Sequence, residues 1–301
     1  MTKAVVTGPL SFTGKYLTKL LIEDGVEVVG LTNKYSTASP YDALKLFPYS
    51  FDDFSAMSAP MYGADVFFNT YWVRFPKGQK TFDVAVNNSS ALFEAAKRAG
   101  VKKIVHTSIA NADIGSEFPY YKGKAQVEDA LEATGVPFAI LRPTVLFGSE
   151  DILINNMAWL IRHFPVYMVA GDGKYGMQPI YVEDYAHLLR QFADASENVT
   201  VDAAGPEKYS YVALVELLKD ITKRRTKILH VPPCVALASS RLLQPFVHDQ
   251  IVTMDEIKGL MQNLLVSNEL PLGSTSLRAW LRENADQIGN AYHSEVSRHH
   301  K

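Results

Sequence analysis

Ala4-Val5-Val6-Thr7-Gly8-Pro9-Leu10-Ser11-Phe12-Thr13-Gly14 is the stretch whose reading decides the fold. Ala4 to Val6 form a short apolar run of strand character, and Tyr16 to Glu23 space their apolar residues three and four apart, as a helix does. The turn between them carries the strand straight into the helix N-terminus. Backbone N–H groups and the helix dipole there face any bound anion, so the arrangement suits a pyrophosphate. Gly8 allows the tight turn, and Gly14 lets the helix pack closely on the sheet. Leu10, Ser11, Phe12 and Thr13 complete the candidate phosphate contacts. Ser11 occupies the place where a dinucleotide-binding turn usually has its middle glycine; it narrows the approach of backbone to phosphate and offers a hydroxyl instead. The plainer reading is an ordinary strand-to-helix turn that contains two glycines.

Outward from this turn, strand-like runs (Ala4 to Val6, Glu27 to Leu31, Asp65 to Asn69, Lys103 to Thr107, Phe138 to Arg142) alternate with helical segments (Tyr16 to Glu23, Val84 to Arg98, Lys122 to Ala133). Gly25, Gly100 and Gly135 sit where each helix should stop. Alternation of this kind predicts an α/β fold, a Rossmann-type doubly wound parallel sheet. Past Gly148 the rhythm changes: a helix over Ile154 to His163, a turn at Gly171 to Gly173, a helix over Glu183 to Ala195 and a returning strand at Val199 to Ala203. From Gly205 onward the pattern is mostly helical, over Tyr211 to Thr222, Asp255 to Leu265 and Ser276 to Asp286. The predicted division is a dinucleotide-binding domain over residues 1–150, rejoined by 176–205, and a smaller, mostly helical substrate lobe over 151–175 and 206–301.

The end of the second strand bears on the choice of dinucleotide. A site preferring NAD usually places an acid there, on the ribose 2′-hydroxyl. Val28 to Lys34 contains none. Thr32, Asn33 and Lys34 instead supply hydroxyl, amide and ammonium donors that suit a 2′-phosphate, which favours NADP(H) over NAD(H). A solvated loop lysine is the competing reading of Lys34.

Tyr120 and Lys124 stand four apart on a predicted helix, close enough for an ammonium to act on a phenol. A phenol with its ordinary pKa near 10 is a weak acid-base group at neutral pH, and a nearby cation brings it toward the useful range. The lysine can also hold the nicotinamide ribose. Ser108, at the end of the preceding strand, can orient a substrate carbonyl or alcohol. Pro119 would start the helix at the tyrosine, and Tyr121, the substitute phenol, lacks a lysine four positions on. A pure packing role for the Tyr120 and Lys124 pair is the alternative.

With these residues the chain resembles the short-chain dehydrogenase/reductase superfamily, in the extended or atypical branch that includes NAD-dependent epimerase/dehydratase and NmrA-like proteins. The likeness spans about residues 4 to 205. It rests further on Phe93-Glu94-Ala95-Ala96, Gly100 to Val105, Glu128 after Lys124, Leu141-Arg142-Pro143-Thr144 ending at Gly148, and Gln178-Pro179-Ile180 leading to Val182-Glu183-Asp184. The resemblance implies proton transfer by Ser108, Tyr120 and Lys124 during hydride transfer at nicotinamide. It also implies a loop Asn69-Thr70-Tyr71-Trp72 beside the adenosine, so Thr70 and Tyr71 join the cofactor contacts, and a turn bringing Pro143 and Thr144 to the nicotinamide end. The branch also contains members that bind cofactor without turnover.

Composition narrows the alternatives. Of 301 residues, 47% are apolar and 21% charged, with a net charge of -2 from basic and acidic residues mixed along the chain. That is the balance of a folded chain with no electrostatic footprint for nucleic acid or anionic lipid. The single cysteine, Cys234, excludes an intrachain disulfide and a thiolate-rich metal site; it reads as a small buried hydrophobe in a reducing compartment. No metal site is expected, and Asp52 and Asp53 read as a helix cap or as neighbours of the adenine ring. With no secretory leader pattern before Ala4 and no apolar run long enough to span a bilayer, the expected location is cytoplasmic. Asn155 and Asn156 have two equal readings, substrate contact or satisfaction of loop backbone. Tyr71, Trp72, Phe75, Trp159 and Tyr167 line a pocket or fill the core. Two functions follow: an NADP(H)-dependent oxidoreductase, epimerase or dehydratase on a small organic or sugar-like substrate, or an NADP(H)-holding regulator or complex-assembly subunit without chemistry. A homodimer is compatible with either.

Overall fold

The computed structural model describes residues 1–33 and 41–296. In chain order they form β1 (Lys3–Thr7), α1 (Phe12–Glu23), β2 (Glu27–Leu31), β3 (Leu44–Phe47), α2 (Phe54–Ser58), β4 (Val66–Asn69), α3 (Phe82–Arg98), β5 (Lys103–Thr107), α4 (Pro119–Ala133) and β6 (Phe138–Pro143). There follow β7 (Val145–Phe147), α5 (Leu153–His163), β8 (Val166–Ala170), β9 (Gly176–Met177), β10 (Pro179–Tyr181), α6 (Val182–Ala193) and β11 (Val199–Ala203). The chain ends with β12 (Tyr209–Ser210), α7 (Tyr211–Thr222), β13 (Lys227–Val231), α8 (Pro233–Val247), α9 (Met254–Met261) and α10 (Leu277–Glu283).

Two compact units result. Unit 1 comprises Met1–Pro143 and Val182–Ala203; unit 2 comprises Thr144–Tyr181 and Ala204–Lys301. In unit 1, seven strands pair in the order β11-β6-β5-β4-β1-β2-β3, every pairing parallel. This is the predicted Rossmann-type α/β sheet. Strands buried on both faces read as continuous apolar runs rather than alternating ones, and β1 and β4 are buried along nearly their whole length. Helix α1 packs with α6, and α3 packs with α2 and α4. Val5, Val29, Phe67, Ile104 and Ile140 from five strands meet Leu92, Phe93 and Ala96 of α3 and Val127 and Leu131 of α4 in one core.

The order of the strands reverses between β1 and β4, each continuing outward in opposite directions. At such a switch point the loops after the two strands diverge, leaving a crevice at their C-terminal ends where open α/β sheets bind ligands. The turn after β1 and the Asn69 to Trp72 loop both leave the sheet there. Unit 2 holds its own core, in which Phe147, Met157, Ile161, Val169, Leu214, Leu218 and Trp280 pack together. Among the described residues no helix is long and apolar enough to cross a membrane.

Candidate functional site: the C-terminal edge of the parallel sheet

The turn after β1 explains both of its glycines. Gly8 has φ +58, the left-handed region that favours glycine. A Cβ on Gly14 would stand 1.9 Å from the Gly8 carbonyl oxygen. The close approach that requires Gly14 is therefore to the turn itself, rather than only to the sheet. Ser11 caps α1: its Oγ accepts the Gly14 N–H at 3.2 Å, and its own N–H donates to the Gly8 carbonyl at 2.8 Å. The serine in place of a middle glycine thus satisfies an N–H group that α1 leaves without a carbonyl partner.

Across the switch point, a polar ladder ties the strand ends together. Thr70 Oγ1 donates to the Thr7 carbonyl at 2.6 Å, and Thr7 Oγ1 accepts the Thr70 N–H at 2.7 Å. Asn69 Oδ1 accepts the Tyr71 N–H at 3.2 Å, which orients its amide so that Nδ2 donates to His106 Nδ1 at 3.2 Å. His106 then carries its proton on Nε2. Burial first, and the Lys124 cation second, hold its pKa well below the ordinary imidazole range, so it is neutral. It is fully buried, held through Nδ1 with Nε2 unpaired, and its part here is not legible in the sequence.

Lys124 and Ser108 lie at the end of β5, and Tyr120 packs on the same indole as Lys124. Pro119 occupies the first turn of α4, as its missing N–H allows, and Tyr120 follows it. The Tyr120 ring meets Trp72 and Phe82 edge-on, with centroids 5.9 and 5.8 Å away. Lys124 Nζ lies 4.7 Å over the Trp72 ring and donates to the Thr107 carbonyl at 2.8 Å. Tyr120 and Lys124 are thus brought against the same indole, which itself rests on α4 where Gly123 leaves room. Lys124 is 2% exposed. Burial lowers its ammonium to about 7, against the opposing pull of the Glu128 carboxylate. Ser108, adjacent to Thr107, donates its N–H to the Leu141 carbonyl at 2.8 Å, while its buried Oγ has no protein partner. An unpaired buried hydroxyl is costly unless something outside the chain meets it. Tyr121 is buried against Phe118.

Glu128 and Arg142, known to the sequence analysis only through resemblance, form a paired contact: Arg142 Nε donates to Oε1 at 2.9 Å and a second guanidinium N–H to Oε2. This bidentate bridge pins α4 to β6 one turn beyond Lys124. Pro143 ends β6, and its carbonyl accepts the Ala110 N–H at 2.9 Å, which keeps the segment after Ser108 along the same edge. Thr144 belongs to unit 2, where its hydroxyl donates to the Gln178 carbonyl.

At the other end, Thr32 is buried and donates its N–H to the Phe47 carbonyl at 2.8 Å; Asn33 Oδ1 accepts the Tyr49 N–H at 3.1 Å. Lys34 lies outside the described residues. Tyr49, Phe51 and Tyr71 form an aromatic cluster with centroids 5.4 to 5.9 Å apart, and Asn88 Nδ2 donates to the Tyr71 hydroxyl at 2.9 Å. Asp53 caps α2 by accepting the Ala56 N–H at 3.0 Å.

Other expectations resolve as structure. Asn155 and Asn156 are buried and grip the chain's late segment: Asn155 bonds Gly289 N and the Ala291 carbonyl, Asn156 both backbone groups of His293. Satisfaction of backbone is their role. Phe75 and Tyr167 are buried. Cys234, expected inside, is exposed, because α8 turns that side of itself to solvent. Among the described residues no group of side chains could hold a metal ion.

Residues 11–154 match the family model described as NAD(P)H-binding. Over those residues the chain is similar to NAD(P)H-binding domains. Over 286 residues it is 24% identical to the NADH dehydrogenase [ubiquinone] 1 alpha subcomplex subunit 9, mitochondrial, of Arabidopsis thaliana, covering 88% of this chain and 71% of that one. The rat protein of the same name is 29% identical over 63% of this chain and 51% of its own length, so this chain spans about half of that relative. Among solved structures, an NADPH-dependent quinone oxidoreductase from Escherichia coli, complexed with NADPH, shares the fold with a TM-score of 0.76 at 17% identity, over 95% of this chain and all of that one. Within the matched residues lie a helix N-terminus behind a glycine turn and the buried Ser108 Oγ, next in sequence to the Thr107 carbonyl that holds Lys124.

Proposed function

We propose that the chain is a cytoplasmic, NADP(H)-dependent oxidoreductase acting on a small organic carbonyl or alcohol. The observation that carries this reading is the Ser108 Oγ, buried without a protein partner next to the carbonyl that holds Lys124. A hydroxyl kept in that condition is suited to an oxygen on a ligand. The turn over Gly8, Leu10, Ser11, Phe12, Thr13 and Gly14 would hold the pyrophosphate, Thr70 and Tyr71 the adenosine side, and Lys124 the nicotinamide ribose. Thr32, Asn33 and Lys34, with no acid among them, support NADP(H) over NAD(H). The one cysteine fits a reducing compartment.

When bound, the nicotinamide supplies or accepts hydride at the substrate carbon. In the reducing direction Tyr120 gives its phenolic proton to the substrate oxygen, which becomes the alcohol. The protonated form of Lys124 favours the phenolate left behind, and Ser108 donates a hydrogen bond to the same substrate oxygen. With Lys124 near 7, both of its protonation states are populated at neutral pH.

A second reading is favoured by the respiratory-subunit names of the curated relatives: the chain holds NADP(H) as a structural ligand of a larger assembly and does no chemistry. Tyr120→Phe separates the two. The oxidoreductase reading expects normal NADPH binding and a fall in turnover of about a hundredfold or more across a panel of quinones and small carbonyls. If wild-type protein saturated with NADPH reduces none of them and the variant behaves identically, the structural reading stands.

A further inference from the structure

The overall charge balance hides a one-sided region. From Ile221 to His248 the sequence has no acidic residue, but it has Lys223, Arg224, Arg225, Lys227 and Arg241. The first four lie between α7 and the start of β13, and all are exposed. The helix that follows β13 reverses the usual amphipathic arrangement. On α8 the exposed positions are Cys234, Val235, Ala238, Arg241, Leu242, Pro245 and Phe246. At 100° per residue they fall within an arc of about 140°, and Arg241 is its one charge. Leu242 is 73% and Phe246 81% exposed. Beside them on the paired strands β8 and β13, the register partners Met168 and Leu229 are also exposed.

Large apolar side chains exposed together on one face of a helix mark a binding surface. Its chemistry selects the occupant. The largest side chains protrude rather than line a groove, so what receives them need not match their shape, and a fluid acyl layer has that property. The cations form a run without acids, which complements a surface of many equivalent phosphates. An exposed apolar arc on a helix too short to span, carrying Arg241 and preceded in the chain by a basic run, suits a helix lying in a membrane interface. We propose that α8 and the preceding basic run dock this chain on an anionic phospholipid bilayer, with Leu242 and Phe246 entering the headgroup region and Lys223, Arg224, Arg225 and Lys227 meeting lipid phosphates.

Cys234 lies on the same arc and is the chain's single cysteine, so the full-length protein can be labelled there with a polarity-sensitive fluorophore. The labelled protein is mixed with vesicles of phosphatidylcholine, with or without phosphatidylglycerol, and floated. The proposal expects brightened, blue-shifted emission and co-flotation with phosphatidylglycerol vesicles, and at least roughly tenfold weaker binding at high salt. Leu242→Glu/Phe246→Glu should abolish both signals while leaving circular dichroism and NADPH binding unchanged. Replacing the four cations by serine on the intact apolar face should remove the phosphatidylglycerol preference. Absence of flotation, or equal flotation of either variant, overturns the proposal. So does concentration-dependent dimerisation lost in the glutamate variant, which would assign the face to a second copy of the chain.

Discussion

Lys124 is the residue on which folding and chemistry make opposite demands. Its ammonium is buried, one hydrogen bond and an indole face are its near neighbours, and its pKa lies near 7 instead of 10.5. Below pH 7 both folded and unfolded chains hold the proton, and the native state bears the whole cost of a buried cation. Between about 7 and 10.5 the unfolded chain holds more protons, so this residue makes stability rise with pH; above 10.5 the penalty is gone. Lys124→Met should therefore stabilise the protein near pH 6 by on the order of 1 to 3 kcal/mol. That gain should shrink as pH rises toward 10, and cofactor binding should weaken. Urea unfolding at several pH values measures it; a variant less stable than wild type at pH 6 would refute the balance described. Tyr120 and Lys124 both reach Trp72, and that they share a helix face was readable from their spacing. Ser11 as a cap, Cys234 as exposed, and the grip of Asn155 and Asn156 on residues more than a hundred positions away were not, because each depends on what a distant or local backbone group presents in three dimensions.

At the scale of elements, the bridge between Arg142 on β6 and Glu128 on α4 holds the helix that carries Tyr120 and Lys124. Glu128 is 5% exposed. Arg142→Leu leaves its carboxylate buried and unpaired and should destabilise the fold by about 3 kcal/mol, whereas Arg142→Leu/Glu128→Leu should recover most of that loss. A double-mutant cycle by thermal unfolding reads the difference; additive effects would mean that the pair is uncoupled. In the turn after β1, Gly14→Ala would drive a methyl into the Gly8 carbonyl. The expected result is a loss of at least about 2 kcal/mol with NADPH binding abolished, checked by circular dichroism melts and calorimetry. Elements whose periodicity matched their burial, such as β1, α1, α3 and α7, were legible in sequence. β3 and α8 were not: β3 is an edge strand with alternating exposure. α8 begins at a proline, contains Pro245, and exposes apolar residues that a solvent-facing helix normally lacks.

For the whole molecule, the parallel sheet and its switch point followed from the alternation of apolar runs and helices, since parallel strands require crossovers. The cofactor preference proposed is not written in that order; it rests on the lack of an acid from Val28 to Lys34 in the sequence. Because a ligand that binds only the folded state stabilises it by RT ln(1 + [L]/Kd), NADPH at a hundred times its Kd should add about 2.7 kcal/mol of stability. The most direct measurement is isothermal titration calorimetry of the full chain with NADPH and, separately, NADH. The account predicts saturable binding of one NADPH per chain, at least about tenfold tighter than NADH. Heat from neither dinucleotide, with no shift in the thermal midpoint, would contradict it.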